Sequence, residues 1–329
     1  ISAATTSVVD TVPVGGSPSG IAITPNGAFV YVARTGSAIS VIDTATNTVA
    51  ATITGISNPS QIAITPSGNF AYVTGSFGLT SIVTVIDTAT NTIATTLSIF
   101  GFFLPEGIAI TPNGAFAYVT NAVFNRVFVI STATNTVVTT INIGGGPTGV
   151  TITPNGAFAY VSNANAGTVS VINTATNSVV NTVSVAASPR YLAIEPTGTF
   201  VYVPSFSAAG TISVISTAGN AVVDTFSSGA GTGPVAIAFG EFDPLQSLID
   251  QIQALVTAGT LTQSQGDELI DKIEHVIDKL DAGQVNAACG QLGAFINQVN
   301  AFINNGSLTP AQAQPLIDGA TAIRADLGC

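Results

Sequence analysis

One tripeptide constrains this chain more than its composition does: Pro-X-Gly recurs at Pro25, Pro66, Pro112, Pro154 and Pro196, spacings of 41, 46, 42 and 42 residues. A fixed period of this length marks a repeat architecture, and it has room for four short strands per unit. Within one unit, Gly149 to Thr153 reads as a short apolar strand and Pro154-Asn155-Gly156 as its turn, with glycine free to take positive φ. Ala157 to Ser162 and Thr168 to Ile172 read as the next two strands. Asn173-Thr174-Ala175-Thr176-Asn177 turns the chain into a fourth, Ser178 to Val185. Apolar and polar residues alternate throughout, the pattern of half-buried antiparallel strands.

A lone four-stranded sheet of this size cannot bury both faces, so five such units must stack, and radial stacking is the usual solution at this period. The expected fold is an all-β propeller of five complete blades over residues 1–240. Two fragments, Ser7 to Val14 and Pro234 to Phe239, read as the outermost and innermost strands of a short sixth unit made from both ends. Such strands would either seal the ring or offer edges for self-assembly with another molecule.

After Phe242 the apolar period changes from two to 3.6. Pro244 opens a helix carrying Leu245, Leu248, Ile249, Ile252, Leu255 and Val256 on one face. Thr262 caps a second, a third runs from about Val285 to Asn304, and Thr309-Pro310 opens a fourth. Gly259-Thr260-Leu261-Thr262 is echoed by Gly306-Ser307-Leu308-Thr309, which suggests two related helical elements in a second domain spanning residues 241–329. If the third and fourth helices are antiparallel, Cys289 lies beside Cys329, and a disulfide closing 40 residues would stabilise so small a domain by roughly 4 kcal/mol.

The repeats resemble the YVTN family. Tyr118-Val119-Thr120-Asn121 spells its signature, and Tyr160-Val161-Ser162-Asn163 and Tyr72-Val73-Thr74-Gly75 are close variants. The resemblance implies a propeller of an archaeal surface-layer or secreted bacterial type, usually with about seven blades, and names no ligand. Asn286-Ala287-Ala288-Cys289, then Ala294-Phe295-Ile296-Asn297-Gln298-Val299, with Cys329 last, resembles the FIMAH-type domain at the C-termini of exported prokaryotic proteins. It implies an address and an architecture, with no activity to carry over. The chain holds no methionine, its first residue included, which fits an exported protein whose signal peptide has been removed. Two cysteines fit an oxidising compartment.

Seventeen acids against six basic residues give a net charge of -11, which repels phosphate backbones and excludes nucleic acid as a natural partner. No apolar run is long enough to cross a bilayer. Residues 1–240 contain no His, Lys, Cys or Trp, which removes most general bases, covalent nucleophiles and soft metal ligands. Asp43 and Asp87 begin the Thr-Ala-Thr-Asn turns where other units carry Ser131, Asn173 and Ser216, so the expected role is turn closure and not metal binding. His275 is expected to be a solvated helix residue beside Asp271 and Lys279, and the innermost strands offer one acid, Glu195. No catalytic residue, metal or cofactor is expected.

What remains is shape. In an up-and-down blade the Pro-X-Gly and Thr-Ala-Thr-Asn turns share one face, hereafter the turn face. The hairpin tips and the links between blades share the other, the link face. Everything irregular falls on the link face: Arg34, Phe77, Leu79, Phe100, Phe102, Phe103, Leu104, Glu106, Phe124, Arg126, Arg190, Tyr191 and Phe206. Aromatics and arginines at a surface point to a contact with protein, glycan or a neighbouring subunit, and the alternative is that they plug the channel mouth or pack under the helical domain. The function expected is therefore a non-enzymatic secreted or cell-surface recognition, adhesion or assembly scaffold. The alternative is a propeller enzyme of lactonase-like or lyase-like type.

Overall fold

The computed structural model describes residues 10–99, 106–206, 210–227 and 244–329. The chain divides into two compact units, one holding five sheets and the other four helices.

Each sheet contains four antiparallel strands in sequence order. The first is β1 (Pro18–Ile23), β2 (Phe29–Arg34), β3 (Ala38–Asp43) and β4 (Thr48–Thr54). The second is β5 (Ile62–Ile64), β6 (Phe70–Phe77), β7 (Thr80–Asp87) and β8 (Thr92–Ile99). The third is β9 (Ile108–Ile110), β10 (Phe116–Asn121), β11 (Arg126–Ser131) and β12 (Thr136–Asn142). The fourth is β13 (Pro147–Ile152), β14 (Phe158–Asn163), β15 (Thr168–Asn173) and β16 (Ser178–Ser184). The fifth is β17 (Ala193–Ile194), β18 (Phe200–Ser205), β19 (Thr211–Ser216) and β20 (Ala221–Ser227). Each sheet has the same register irregularity between its third and fourth strands, from Val41/Ile42 to Val214/Ile215, a bulge that adds twist at the same place every time.

The Pro-X-Gly turns close by side chain. Thr24 Oγ1 accepts from the Phe29 amide at 3.0 Å and donates to Asn26 Oδ1 at 2.7 Å, and Thr65, Thr111 and Thr153 accept in the same way from Phe70, Phe116 and Phe158. In the fifth sheet the acid does this work: Glu195 Oε1 accepts from the Phe200 amide at 3.1 Å, which accounts for the one carboxylate of the innermost strands. Glycine is required at Gly198, where φ is +75° and a Cβ would stand 2.9 Å from Cδ of Pro154 in the preceding sheet.

Consecutive sheets share a core. Tyr31, Ile39 and Val41 of the first pack on Ile62, Ala71, Val73 and Ile86 of the second. The next three junctions repeat this with Tyr72, Tyr118 and Tyr160. Each tyrosine hydroxyl crosses to the next sheet and donates to an asparagine Oδ1 at 2.6 Å, in the pairs Tyr31–Asn91, Tyr72–Asn135, Tyr118–Asn177 and Tyr160–Asn220. Those asparagines hold the positive-φ position of the Thr-Ala-Thr-Asn turns, so one residue both turns its own hairpin and latches its neighbour. The first sheet keeps Asn47 at φ +51°, and no tyrosine reaches it among the described residues. There Ile21 and Ile23 are 67% and 57% exposed, whereas Ile62 and Leu192, at the position of Ile21, are buried.

The short sixth unit falls largely outside the described residues. The part within them departs from expectation: residues 10–14 form no strand. Pro13 has no amide to give a ladder, Gly15 and Gly16 turn the chain at positive φ, and the Val14 carbonyl accepts from Ser40 Oγ at 2.9 Å instead.

The helices are α1 (Pro244–Thr257), α2 (Gln263–Asp281), α3 (Val285–Asn304) and α4 (Pro310–Asp326). The echoed segments make matching caps. Thr262 Oγ1 accepts from the Gln265 amide while Gln265 Oε1 accepts from the Thr262 amide, and Thr309 and Gln312 do the same. Gln265 Nε2 donates to Ser307 Oγ at 2.9 Å and ties the two loops together. Leu248, Ile252, Leu269, Ile273, Leu292, Phe295, Val299 and Leu316 fill the core. Cys289 and Cys329 are disulfide-bonded across a Cα separation of 6.0 Å.

Candidate functional site

The two faces separate as the repeat requires. Links and hairpin tips meet on one side: the Ile143 amide donates to the Asn125 carbonyl, Val185 to Gly167, and Phe206 to Ser188. On the turn face two grooves of about 300 and 290 Å³ lie at the first–second and third–fourth junctions, walled by Phe29 and Phe116. Asp43, Asp87 and Asn173 close their turns by accepting two backbone amides each, at 2.9–3.0 Å. Ser131 and Ser216 make no such bond, because their shorter side chains place the oxygen one atom closer to the backbone.

The link face gathers the irregular residues. At the hairpin tips Phe77 and Leu79 are 72% and 60% exposed, and Phe124 and Arg126 are exposed as well. Arg34 donates from Nε to Ser40 Oγ at 2.9 Å and is held in the first sheet. Phe100, Phe102, Phe103 and Leu104 lie outside the described residues. His275, in the helical unit, is exposed and its Nδ1 stands 2.6 Å from the Asp271 carbonyl.

Toward the inner edges of the sheets a second group forms. The residue just before each innermost strand's first apolar position is Gly20, Gln61, Gly107, Gly149 or Tyr191. Three of these are pinned by a hydroxyl two residues after the core tyrosine. Thr74 Oγ1 accepts from the Gln61 amide at 2.9 Å, Thr120 Oγ1 from Gly107 at 2.7 Å, and Ser162 Oγ from Gly149 at 2.9 Å. The glycines are forced by neighbouring backbone, since a Cβ on Gly149 would lie 2.8 Å from the Tyr191 Cα and one on Gly107 2.5 Å from the Thr148 carbonyl. Gln61 and Tyr191 are the two large side chains at this register, and the Gln61 side chain lies near enough to the Tyr191 phenol to favour its charged form although they belong to the second and fifth sheets. Consecutive inner edges are tied together, Thr120 Oγ1 donating to the Thr148 carbonyl at 2.7 Å and Thr148 Oγ1 to the Pro189 carbonyl at 3.3 Å.

Glu106 and Arg190 stand one residue nearer the link face. The Glu106 amide donates to the Thr120 carbonyl at 3.2 Å and the Arg190 amide to the Pro204 carbonyl at 2.9 Å, so both backbones are anchored. Burial raises the Glu106 carboxyl above its ordinary value of 4.5, against the pull of the Arg190 charge. Burial first, then the Glu106 charge, raises the Tyr191 phenol. The Arg190 guanidinium lies 5.7 Å from the centre of the Phe206 ring, a cation–π contact, and Phe206 is itself 52% exposed. The structure thus sets Arg190 over Phe206, with Glu106 and Tyr191 near enough to feel the arginine charge, and leaves Phe77, Phe124 and Arg126 at the tips. Gln61 was not singled out from sequence, though the signal is there: it is a large polar side chain at a register where three of five repeats carry glycine.

Among the described residues no three His, Cys, Asp or Glu side chains group as a metal site, and no helix is long and apolar enough to cross a membrane. No curated protein matches the chain. Solved structures with a similar fold include a functionally unknown protein from Desulfotomaculum acetoxidans DSM 771, with 24% identity and a TM-score of 0.58, covering 65% of this chain and 71% of that one. Another is the hydrazine synthase of Kuenenia stuttgartiensis, also 24% identical, with a TM-score of 0.56, covering 62% of this chain and 64% of the synthase chain. At this identity the likeness is one of fold, and it agrees with a β-propeller for the sheet unit. Residues 245–325 match the FIMAH domain, so the helical unit is a FIMAH domain.

Proposed function

We propose that the chain is a secreted or cell-surface recognition and assembly scaffold of the YVTN-repeat type, not an enzyme, and that its link face contacts protein, glycan or a neighbouring subunit. The observation that carries this reading is the segregation of the irregular residues. The turn face spends its polar side chains on its own backbone, while the link face presents Phe77, Leu79, Phe124 and Phe206 to solvent around a polar group at the axis. Exposed aromatics and arginine are the side chains that dominate interface energetics. The disulfide and the FIMAH domain fit an extracellular setting.

The test is a matched pair of double variants. Phe77→Ser with Phe124→Ser alters the link face, and Phe70→Ser with Phe116→Ser alters residues 37% exposed on the turn face. Both are compared with the parent protein on a printed glycan array and in sedimentation velocity. The reading expects only the link-face pair to lose array signal or self-association. Equal losses from both pairs would remove its basis, and lactone hydrolysis abolished by Glu106→Gln would move the protein to the enzyme class.

A further inference from the structure

We propose that Asn305 is an N-glycosylation site, its Nδ2 taking a glycan from a lipid-linked oligosaccharide through an oligosaccharyltransferase. This rests on the reading of the chain as an exported protein and adds a modification to it.

The acceptor motif occurs once. Of the 22 asparagines, only Asn305 has a serine or threonine two positions on with a residue other than proline between, in Asn305-Gly306-Ser307. In Asn58-Pro59-Ser60 the middle residue is proline. The repeats are rich in asparagine and threonine, yet the hydroxyl residue stands directly after Asn47, Asn91, Asn135, Asn173, Asn177 and Asn181, one place too early.

The helical unit carries its own control. Ala258-Gly259-Thr260, between α1 and α2, stands where Asn305-Gly306-Ser307 stands between α3 and α4. Both loops end a helix in the same way. The Ala258 and Asn305 amides donate to the Ala254 and Ala301 carbonyls, those of Gly259 and Gly306 to Val256 and Ile303, and both glycines have positive φ. Leu261 and Leu308 follow and are buried. Because Ala258 serves the first loop, the fold does not need an amide side chain at Asn305.

That side chain is placed for transfer. Asn305 and Gly306 are exposed, and a Cβ at Gly306 would meet nothing within 4 Å. Asn305 Oδ1 accepts from the Ser307 amide at 3.0 Å, while Nδ2 has no acceptor among the described residues. Ser307 Oγ accepts from Gln265 Nε2 at 2.9 Å and keeps its own proton to donate, so the hydroxyl that the motif requires is held two residues from the asparagine. The site lies between Cys289 and Cys329, whose disulfide belongs to the same oxidising compartment. In the transfer, Nδ2 attacks C1 of the donor's first sugar. The Nδ2–C1 bond forms, the bond from C1 to the phosphate oxygen breaks, the lipid-linked phosphate leaves as an anion, and Nδ2 gives one proton to a base of the transferase.

The test incubates the full chain, folded and also reduced and unfolded, with a purified oligosaccharyltransferase and its lipid-linked oligosaccharide, and reads intact mass and peptide maps. The expected result is a mass gain of one glycan per chain, located at Asn305 and lost in Asn305→Gln and in Ser307→Ala. Ser307→Thr, which keeps the hydroxyl, should retain it. Ala258→Asn, which writes the motif into the first loop, should add a second glycan. A parent chain unmodified in both states, a glycan that survives Asn305→Gln, or an Ala258→Asn chain modified at the first loop alone would overturn the assignment. Deamidation at Asn305-Gly306 in place of transfer would do the same. The link-face variants are measured without a transferase, so a failure here leaves the recognition reading to stand or fall by itself.

Discussion

The two faces of the sheet unit are built from the same strands, but only the turn face repeats one set of side-chain bonds at every junction. On the turn face Thr24, Thr65, Thr111 and Thr153 hold a backbone amide, and Asn91, Asn135, Asn177 and Asn220 receive a tyrosine from the preceding sheet. On the link face Glu106 and Arg190 are anchored through their backbone amides, and the Arg190 guanidinium rests on the Phe206 ring. Side chains consumed by folding must repeat, because each junction needs the same bond. Those left over are free to differ, and a repeat protein makes them visible by contrast.

That contrast predicts unequal costs. Tyr118→Ala, which empties a fully buried turn-side junction, should destabilise the sheet unit by about 3–5 kcal/mol in urea unfolding. A change below about 1 kcal/mol would mean the junctions do not carry the fold. Removing the hydroxyl alone, by Tyr118→Phe, leaves the Asn177 oxygen without its 2.6 Å donor and should cost about 1–2 kcal/mol. A double-mutant cycle with Asn177→Ala should show coupling between the two positions.

Titration sharpens the comparison further. Burial raises the Tyr118 and Tyr160 phenols from 10 to about 12. A group with a raised folded pKa contributes stability that is present below its unfolded value and lost as pH rises through the folded one. Unfolding should therefore become easier between pH 10 and 12, with phenolate absorbance growing as the chain opens. Early absorbance from a still-folded chain would contradict the burial. On the link face the same sign applies to Glu106 at lower pH, since burial raises it above 4.5. The melting temperature of the parent should fall slightly, relative to Glu106→Gln, as pH rises from 4.5 toward neutrality. Parallel curves would mean that the carboxyl is solvated. The smallest effect is expected from Phe77→Ser, which should leave unfolding within about 0.5 kcal/mol of the parent, because a side chain 72% exposed has little packing to lose.

Much of the fold was legible in the chain. The period of Pro-X-Gly placed five four-stranded units, and the alternation placed the strands of the fourth unit within two residues of Pro147–Ile152, Phe158–Asn163, Thr168–Asn173 and Ser178–Ser184. Four helices and the Cys289–Cys329 pairing followed from the change of period and the capping threonines. These features are local: turn chemistry, strand alternation and helix capping act over a handful of residues. The reading faltered at residues 10–14, where alternation suggested a strand and Pro13, Gly15 and Gly16 prevent one. It also assigned turn closure to Ser131 and Ser216, which lack the reach.

The site was legible only in part. Arg190, Tyr191, Glu106 and Phe206 stood out as departures from the repeat, and sequence placed them on one face. It did not divide that face into exposed tips and an axial group, nor add Gln61 to the latter. The distinction depends on the Gln61 side chain lying near the Tyr191 phenol, although the two are 130 positions apart and belong to different sheets. The asparagine latches are of the same kind, each joining residues about 60 positions apart. Sequence by itself determined the elements and their repetition, since those rest on local backbone preference and the burial period. Tertiary structure decided which polar groups pair across sheets, because that depends on distances between sheets, which no local pattern encodes.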